Sequence, residues 1–162
     1  MKNFKKVNKN NGFTLIEILV VIGIIAILAA IVIIAINPAK QFAQARNTQR
    51  TANVNAILNA VGQRIADNKG VFSGTFNIDG TDYTCPTLPT SVEAVLSGDG
   101  TGTRLDCLVP TYISALPNDP TWTSGVDTKY TIIMNDVGRI TVCAPLGDEP
   151  AVPDSTEICI TR

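Results

Sequence analysis

An apolar run close to the N-terminus constrains the fold of this chain more than any other feature of its sequence. Leu15 to Ile36 is a stretch of 22 residues whose only charged side chain is that of Glu17. About 20 apolar residues suffice for a helix that crosses a bilayer, so we predict a membrane-spanning helix. A charge inside such a helix costs about 2.5–3.5 kcal/mol at the membrane centre and less near an end. Glu17 is therefore a candidate functional residue.

A basic leader precedes this run and predicts its orientation. Residues 1–12 contain four lysines and no acidic residue. Positive charge beside a first membrane helix holds that end in the cytoplasm, so we expect the C-terminal part of the chain to be exported. An ordinary secretory signal has an apolar region of about 7–15 residues followed by small residues at the cleavage site. This run is longer and Ala29-Ala30 lies in its middle, so conventional signal cleavage and an uncleaved anchor are the weaker alternatives.

The junction between the leader and the apolar run carries a specific motif. Residues 12–17 read Gly-Phe-Thr-Leu-Ile-Glu. With the apolar helix behind it, this motif resembles the class III signal of type IV pilins and type II secretion pseudopilins. The resemblance implies that a prepilin peptidase cleaves between Gly12 and Phe13 on the cytoplasmic side and methylates the new N-terminal amine of Phe13. Cleavage at this bond removes the basic leader and leaves the apolar helix in place.

Two roles are open for Glu17. Thr14 and Glu17 match a capping box, in which the acidic side chain reaches back to an amide that lacks a helical partner. A negative charge also suits the positive end of the helix dipole. The resemblance implies a further role in assembly, in which Glu17 pairs with the N-terminal amine of Phe13 in a neighbouring subunit. The two roles are compatible, because the first acts in the monomer and the second in a filament.

The helical pattern continues beyond the apolar run. Asn37-Pro38 predicts a kink, because proline lacks an amide proton and disfavours helical backbone at the residue before it. Apolar residues then recur at spacings of three and four up to the stop signal Asn68-Lys69-Gly70, which predicts an amphipathic helix with Arg46 and Arg50 on its polar side. The apolar stripe comprises Val54, Ile57, Leu58, Val61 and Ile65. A helix this long again resembles a type IV pilin, whereas the stripe is too short for a coiled-coil anchor.

The C-terminal part of the chain predicts a small antiparallel sheet. Three segments are rich in β-branched and aromatic residues and are candidate strands, at 129–135, 139–144 and 156–161. Residues 70–128 predict loops with one short helix, since Thr90 and Glu93 match a capping box. We therefore predict an α+β, pilin-like fold, with the long N-terminal helix packed on a sheet of about three strands. The predicted core face of the sheet is Tyr130, Ile132, Met134, Ile140, Val142, Ile158 and Ile160.

These patterns divide the chain into parts of different charge. The expected parts are a removed leader (1–12), a transmembrane or filament-core helix (13–37), its amphipathic continuation (38–69), and a globular head (70–162) made of a variable loop region (70–128) and a sheet (129–162). Residues 37–69 carry a net charge of +4 and the head carries −8. Opposite charges on one chain can complement each other between subunits, and two solvated faces are the alternative.

The head contains all four cysteines of the chain. An even number of cysteines in an exported domain favours disulfides, and none of them has the spacing of a zinc site. Three pairings are possible. Cys85 with Cys107 and Cys143 with Cys159 is favoured, because each pair is nearest in sequence, and free buried thiols are the alternative.

A shorter resemblance precedes the predicted sheet. The segment 112–120 contains Leu-Pro-Asn-Asp-Pro and resembles major pseudopilins, in which calcium often binds in the following loop. Asp119 and Asp127, with Thr123 and Ser124, offer oxygen ligands for calcium. The glycine-rich continuation of those proteins is absent here, so an ordinary turn is the stronger prediction and no cofactor is expected.

These features favour a structural subunit over an enzyme. The chain has no histidine, and no nucleophile with a base suggests a catalytic site. We expect a prepilin of a type IV pilus-like filament that assembles with itself or with related subunits, and the resemblance adds a membrane platform protein and an assembly ATPase as indirect partners. A type II secretion pseudopilin is the alternative. A DNA-uptake or adhesive subunit is a weaker one, because the head is acidic and the arginines that could meet phosphate lie on the long helix.

The expected location follows from the same features. Before assembly, the chain is predicted to be a single-pass protein of the cytoplasmic membrane with its head exported. After assembly, it is predicted to belong to an extracytoplasmic filament or to the cell surface.

Overall fold

The computed structural model describes residues 12–162. The predicted leader, residues 1–12, therefore lies outside the described residues except for Gly12. The chain divides into two compact units, of which the first ends at Pro38 and the second runs from Ala39 to Arg162. From here on, the second unit, which includes the amphipathic helix as well as residues 70–162, is called the head. All the strands of the described residues belong to the second unit.

The first helix coincides with the apolar run. Helix α1 forms Leu15–Ile36, and none of its residues is buried. By length and composition it is the one helix among the described residues that could cross a membrane. It ends at Asn37, whose φ of 47° is left-handed, and the next helix begins with Pro38. Proline suits the first position of a helix, because its missing amide proton needs no partner there. The helix is therefore interrupted at the dipeptide for which a kink was predicted.

The second helix supplies one side of the core of the head. Helix α2 forms Pro38–Asp67 and buries most of the predicted apolar stripe. Ile65, at the end of the stripe, is only partly buried. The polar side predicted for Arg50 is wrong for that residue, because the side chain is 1% exposed. The predicted stop is confirmed, since the Gly70 amide donates to the Ile65 carbonyl at 2.8 Å.

Seven strands follow α2 in the described residues and form two sheets. Strands β1 (Gly74–Ile78) and β2 (Thr81–Cys85) pair as an antiparallel hairpin. The others are β3 (Glu93–Leu96), β4 (Thr103–Arg104), β5 (Asp127–Met134), β6 (Ile140–Ala144) and β7 (Ile158–Thr161). They form one sheet in the order β4-β3-β5-β6-β7, in which only β3 and β4 are parallel. Short 3₁₀ helices form at Asp106–Leu108 and Pro145–Gly147.

The α+β fold is confirmed, but the main sheet has five strands instead of about three. The three predicted strands correspond to β5, β6 and β7. The helix predicted from the Thr90–Glu93 capping box is wrong, because Glu93 begins β3 and pairs with Ile132 of β5. A short apolar run fits a helix or a buried strand equally well, and here the pairing with β5 decides the outcome.

The β1–β2 hairpin lies in a segment for which loops were predicted. Its turn is Asp79-Gly80, and these residues have φ values of 49° and 83°. Two-residue hairpin turns of type I′ need positive φ at both central positions, which is why Asp-Gly is favoured there. The region 70–128 therefore contains four strands, including this hairpin.

The core joins α2 to the inner face of the sheet. Tyr130, Ile132, Ile140 and Val142 are buried, as predicted. Met134, Ile158 and Ile160 are partly buried and pack against the same cluster. Burial of each large apolar side chain contributes about 1.5–3 kcal/mol, so this cluster is the main source of stability in the head.

Two disulfides link parts of the head. Cys85 at the end of β2 is bonded to Cys107 in the first 3₁₀ helix. Cys143 of β6 is bonded to Cys159 of β7, which is its register partner across the sheet. These are the two pairs that lie nearest in sequence, and no cysteine is free.

Candidate functional site

The N-terminus of α1 has the hydrogen bonds of a capping box. The amide and the hydroxyl of Thr14 both donate to Oε2 of Glu17 at 2.8 Å. The Glu17 amide donates to Thr14 Oγ1 at 3.3 Å. These bonds satisfy amides that have no acceptor within the helix. The local role predicted for Glu17 is thus present in the monomer.

The residues around the predicted cleavage bond are exposed. Gly12, Phe13 and Thr14 precede α1 and are not helical. The Phe13 side chain is 83% exposed. Exposed backbone outside regular structure is where proteases cut most readily, so the Gly12–Phe13 bond is accessible to a peptidase. Cleavage there and methylation of Phe13 stay predictions.

The apolar surface of α1 is uncovered. Its large apolar side chains, from Leu15 to Ile36, are at least half exposed. A continuous apolar surface of this size marks contact with lipid or with apolar partners. The Glu17 carboxylate lies in the first turn of the helix, at one end of this surface.

A second polar site lies in the head and is centred on Arg50. Its Nε donates to Asp119 Oδ2 at 2.6 Å and its Nη2 to Asp119 Oδ1 at 3.1 Å. Its Nη1 donates to Glu149 Oε1 at 2.5 Å and to Asn47 Oδ1 at 2.9 Å. Arg46 donates to both oxygens of Glu149 at 2.7 Å. Arg46, Arg50, Asp119 and Glu149 are called the Arg50 network below.

The Arg50 network fastens two loops to α2. Asp119 lies in loop 109–126, which precedes β5, and Glu149 lies in loop 145–157, which precedes β7. Uncharged side chains of α2 hold the same loops. Asn53 Nδ2 donates to the carbonyl of Asn118 at 3.1 Å and to the hydroxyl oxygen of Tyr130 at 2.8 Å. Asn47 Nδ2 donates to the Gly147 carbonyl at 2.9 Å.

The network keeps its carboxylates ionised. Hydrogen bonds from Arg46, and then from Arg50, lower the pKa of Glu149 from 4.5 to about 2. Burial raises the pKa of Asp119, but hydrogen bonds from Arg50 and Thr121 outweigh burial and the pKa is lowered. At neutral pH the two carboxylates therefore balance the two arginines.

The residues predicted as calcium ligands already have cationic partners within the chain. Besides Arg50, Asp119 Oδ1 accepts the amide and hydroxyl of Thr121 at 2.8 and 2.6 Å. Asp127 accepts the amide and the Nζ of Lys129, both at 2.8 Å, and these bonds lower its pKa. A calcium ion would have to displace these partners, and the absence of a cofactor stays a prediction, with calcium as the weaker alternative.

Among the residues that the structure describes, one other group of side chains is close enough together to hold a metal ion. Cys143, Cys159 and Glu157 bring potential ligand atoms within 4.8 Å of one another. Both sulfurs are bonded in the Cys143–Cys159 disulfide, so neither is a thiolate. Metal binding by cysteine requires the thiolate, and the group therefore does not fit a metal.

The arginines of α2 act inside the head. Arg64 is buried and donates to the carbonyls of Phe72 and Gly74 at 3.2 and 3.3 Å. Its guanidinium also lies 4.3 Å from the centre of the Phe76 ring. Together with the pairing of Arg46 and Arg50, these contacts disfavour phosphate binding by α2.

The sequence did not identify Glu149 as a site residue. It lies 99 residues from Arg50 in the chain, and its surroundings match no motif. The available signal was indirect. Two arginines stand one turn apart on α2, and long-range acidic partners are needed when such side chains are buried.

Comparison with known proteins identifies the N-terminal segment. Residues 7–35 match the family described as prokaryotic N-terminal methylation motif. No curated protein and no solved structure matches the chain. The match includes the Gly12–Phe13 junction and most of α1, and it fits a single-pass, membrane-anchored protein. Residues 7–35 therefore carry the prokaryotic N-terminal methylation motif, which is the class III prepilin signal.

Proposed function

We propose that this chain is the prepilin of a type IV pilus-like filament. A prepilin peptidase cleaves the Gly12–Phe13 bond and methylates Phe13, and the mature subunit then assembles through α1. The observation that carries the proposal is that the methylation motif includes the Gly12–Phe13 junction and most of a helix whose large apolar side chains are all exposed. Cleavage at that position removes the basic leader and keeps the apolar surface that packs in a filament.

Packing of α1 helices supplies most of the assembly energy in this proposal. The large apolar side chains of α1 do not leave water when subunits assemble from the membrane, so the hydrophobic effect does not drive this step. In the membrane, lipid already covers these side chains, so close packing between helices replaces contact with lipid. The mature subunit can make this exchange because it no longer has the basic leader.

In this proposal, Glu17 sets the axial register between neighbouring subunits. A carboxylate among packed apolar helices is costly unless it is paired. The amine of Phe13 in a neighbouring subunit is a suitable partner, and it exists only after cleavage. Pairing at one position along the helix sets the axial register. The hydrogen bonds from Thr14 hold the carboxylate at the helix end before assembly.

The remaining partners follow from the same proposal. Subunits assemble with copies of themselves or with related subunits, and a membrane platform protein and a cytoplasmic ATPase drive the process. The head moves from the outer side of the cytoplasmic membrane to the filament surface.

A pseudopilin of type II secretion is the second candidate. The observation that favours it is the Leu-Pro-Asn-Asp-Pro segment at 116–120, which resembles major pseudopilins. In that function the filament is short and pushes exported protein. A cell deleted for this chain would then lose secretion of specific proteins while keeping its surface filaments.

The proposed function is tested with Glu17→Ala and with the exposed head residue change Glu157→Ala as a control. We expect Glu17→Ala to be inserted and cleaved normally but to form few filaments, because assembly loses its charge pair. The control is expected to assemble as the unmodified chain does. Electron microscopy counts filaments, and intact mass measures loss of the leader plus one methyl group. Unchanged filament numbers in Glu17→Ala would rule out the assembly role.

A further inference from the structure

The loop before β5 lies where the resemblance to major pseudopilins implies calcium, yet its donors do not fit that ion. Calcium takes about 6–8 oxygen ligands in proteins. Both oxygens of Asp119 and both of Asp127 accept hydrogen bonds from nitrogen or hydroxyl donors of the chain. Among the described residues, Asn118 Oδ1 is the one buried side-chain oxygen that has no partner. With both carboxylates engaged, this one free buried side-chain oxygen does not supply a calcium coordination shell.

We propose that the guanidinium of Arg50 is the internal cation of this head, and that it fastens loops 109–126 and 145–157 to α2 without calcium. The side chain is buried and makes ion pairs with one acid from each loop. Nε and Nη2 donate hydrogen bonds to Asp119, and Nη1 donates one to Glu149. One side chain thus holds two loops that are distant in sequence.

The geometry requires arginine. A guanidinium is planar, stays charged and presents five donors in a fixed fork, whereas lysine has one compact ammonium. In this head the fork engages four acceptor atoms, two from Asp119 and one each from Glu149 and Asn47. A lysine at position 50 would keep the charge but lose the simultaneous contacts to both loops.

The charge balance also argues against an added ion. The Arg50 network contains two arginines and two carboxylates. Buried charges are tolerated when they are paired, and unpaired ones are strongly destabilising. A calcium ion would add two positive charges to a cluster that is already neutral.

The test uses the full chain purified in detergent, with Arg50→Met, Arg50→Lys and the control Arg104→Met. Arg104 is a suitable control because it is exposed and pairs with the acids Asp99 and Asp106. We expect the unmodified chain to have the same melting temperature in excess EGTA and in millimolar calcium chloride. Both Arg50 variants should melt at lower temperature than Arg104→Met in both solutions. Limited proteolysis with peptide mapping should reveal new cuts in loops 109–126 and 145–157.

Two results would overturn the proposal. The first is a calcium-dependent rise in the melting temperature of the unmodified chain that Asp119→Asn abolishes, because the cation would then be the metal. The second is a fall in the melting temperature of Arg50→Lys that is no larger than the fall in Arg104→Met, without new proteolytic cuts in either loop. Arg50→Lys carries this comparison if Arg50→Met does not fold. Neither result depends on filament assembly, so the proposed function can stand when this proposal fails.

Discussion

The carboxylate of Glu149 predicts how the stability of the head depends on pH. Arg46 and Arg50 lower its pKa from 4.5 to about 2. Because the pKa in the folded chain is below the ordinary value, this pairing stabilises the fold fully above pH 4.5. The stabilisation is lost as the pH falls toward about 2, where the folded chain also takes up the proton. One pKa unit corresponds to about 1.4 kcal/mol, so the pairing contributes about 3 kcal/mol at neutral pH.

The substitution Glu149→Gln isolates this contribution. Glutamine has a similar size and keeps one acceptor oxygen, but it removes the negative charge that both arginines share. At neutral pH we expect a loss of about 3 kcal/mol in the free energy of unfolding, and Arg50 should stay attached to Asp119. Near pH 2 the two proteins should differ far less in stability, because Glu149 of the unmodified chain is then about half protonated and most of the stabilisation by the pairing is lost.

The assay is urea unfolding of the full chain in detergent, repeated from neutral pH down to about pH 2. The control Glu157→Gln changes an exposed carboxylate in the same loop and is expected to leave stability unchanged within about 0.5 kcal/mol. The pKa of Asp119 is also lowered, by hydrogen bonds from Arg50 and Thr121 that outweigh burial, but this residue is present in every protein compared. A loss in Glu149→Gln that is the same at neutral and acid pH would refute the reasoning, since it would show a loss of packing instead of charge.

Two further changes test the packing around β7. Replacing both Cys143 and Cys159 with serine should lower the free energy of unfolding by about 3 kcal/mol, which is the value for a closed loop of about 15 residues. The two cysteines are 16 residues apart in the sequence. Hydrogen exchange should then increase most in β7, which is one of the two edge strands of this sheet, and unchanged exchange there would contradict this. Gly147→Ala should cost about 1–3 kcal/mol by overpacking, because a Cβ atom would lie 2.8 Å from Ile158 Cγ1. The control Gly62→Ala places its Cβ in open space on α2 and should be neutral or stabilising, so equal melting temperatures of the two variants would exclude the proposed clash.

Elements with a strong periodic pattern could be predicted from the sequence. Helix α1 coincides with the uninterrupted apolar run, and its end at Asn37 follows from the proline behind it. Strands β5 and β6 lie on either side of turn residues 135–138, and the Gly138 amide closes that turn on the Asn135 carbonyl. In these places local backbone preference and burial favour the same structure, so the pattern alone suffices.

Strand β3 shows why other elements could not be predicted in this way. Glu93–Leu96 is preceded by a capping-box match, which favours a helix. The strand forms because β5 offers it backbone partners on one side and β4 on the other. Those partners are non-local, and a four-residue segment carries no periodicity that could reveal them. The β1–β2 hairpin differs, since the Asp79-Gly80 turn signal is present in the sequence.

Of the two candidate sites, the one formed by neighbouring residues could be predicted from the sequence and the one formed by distant residues could not. The capping box at Thr14 and Glu17 involves residues three apart, and the sequence predicts it directly. The partners of Arg50 are 69 and 99 residues away along the chain. No local rule connects them, because the fold brings them together. For this reason the sequence pattern predicts Arg50 on the polar side of α2, whereas the side chain is buried.

Some carboxylates of this chain have a positively charged partner within the chain, and this comparison helps to interpret the role of Glu17. Glu149 and Asp119 are buried and each is paired with an arginine of α2. Within the described residues, the hydrogen-bond donors to Glu17 belong to Thr14 and are uncharged. Uncharged donors suffice at an exposed helix end, but they leave a net charge that is costly once apolar surfaces cover the site. The missing positive charge has to come from outside this segment of the subunit, which supports the proposed pairing of Glu17 with the amine of a neighbouring Phe13.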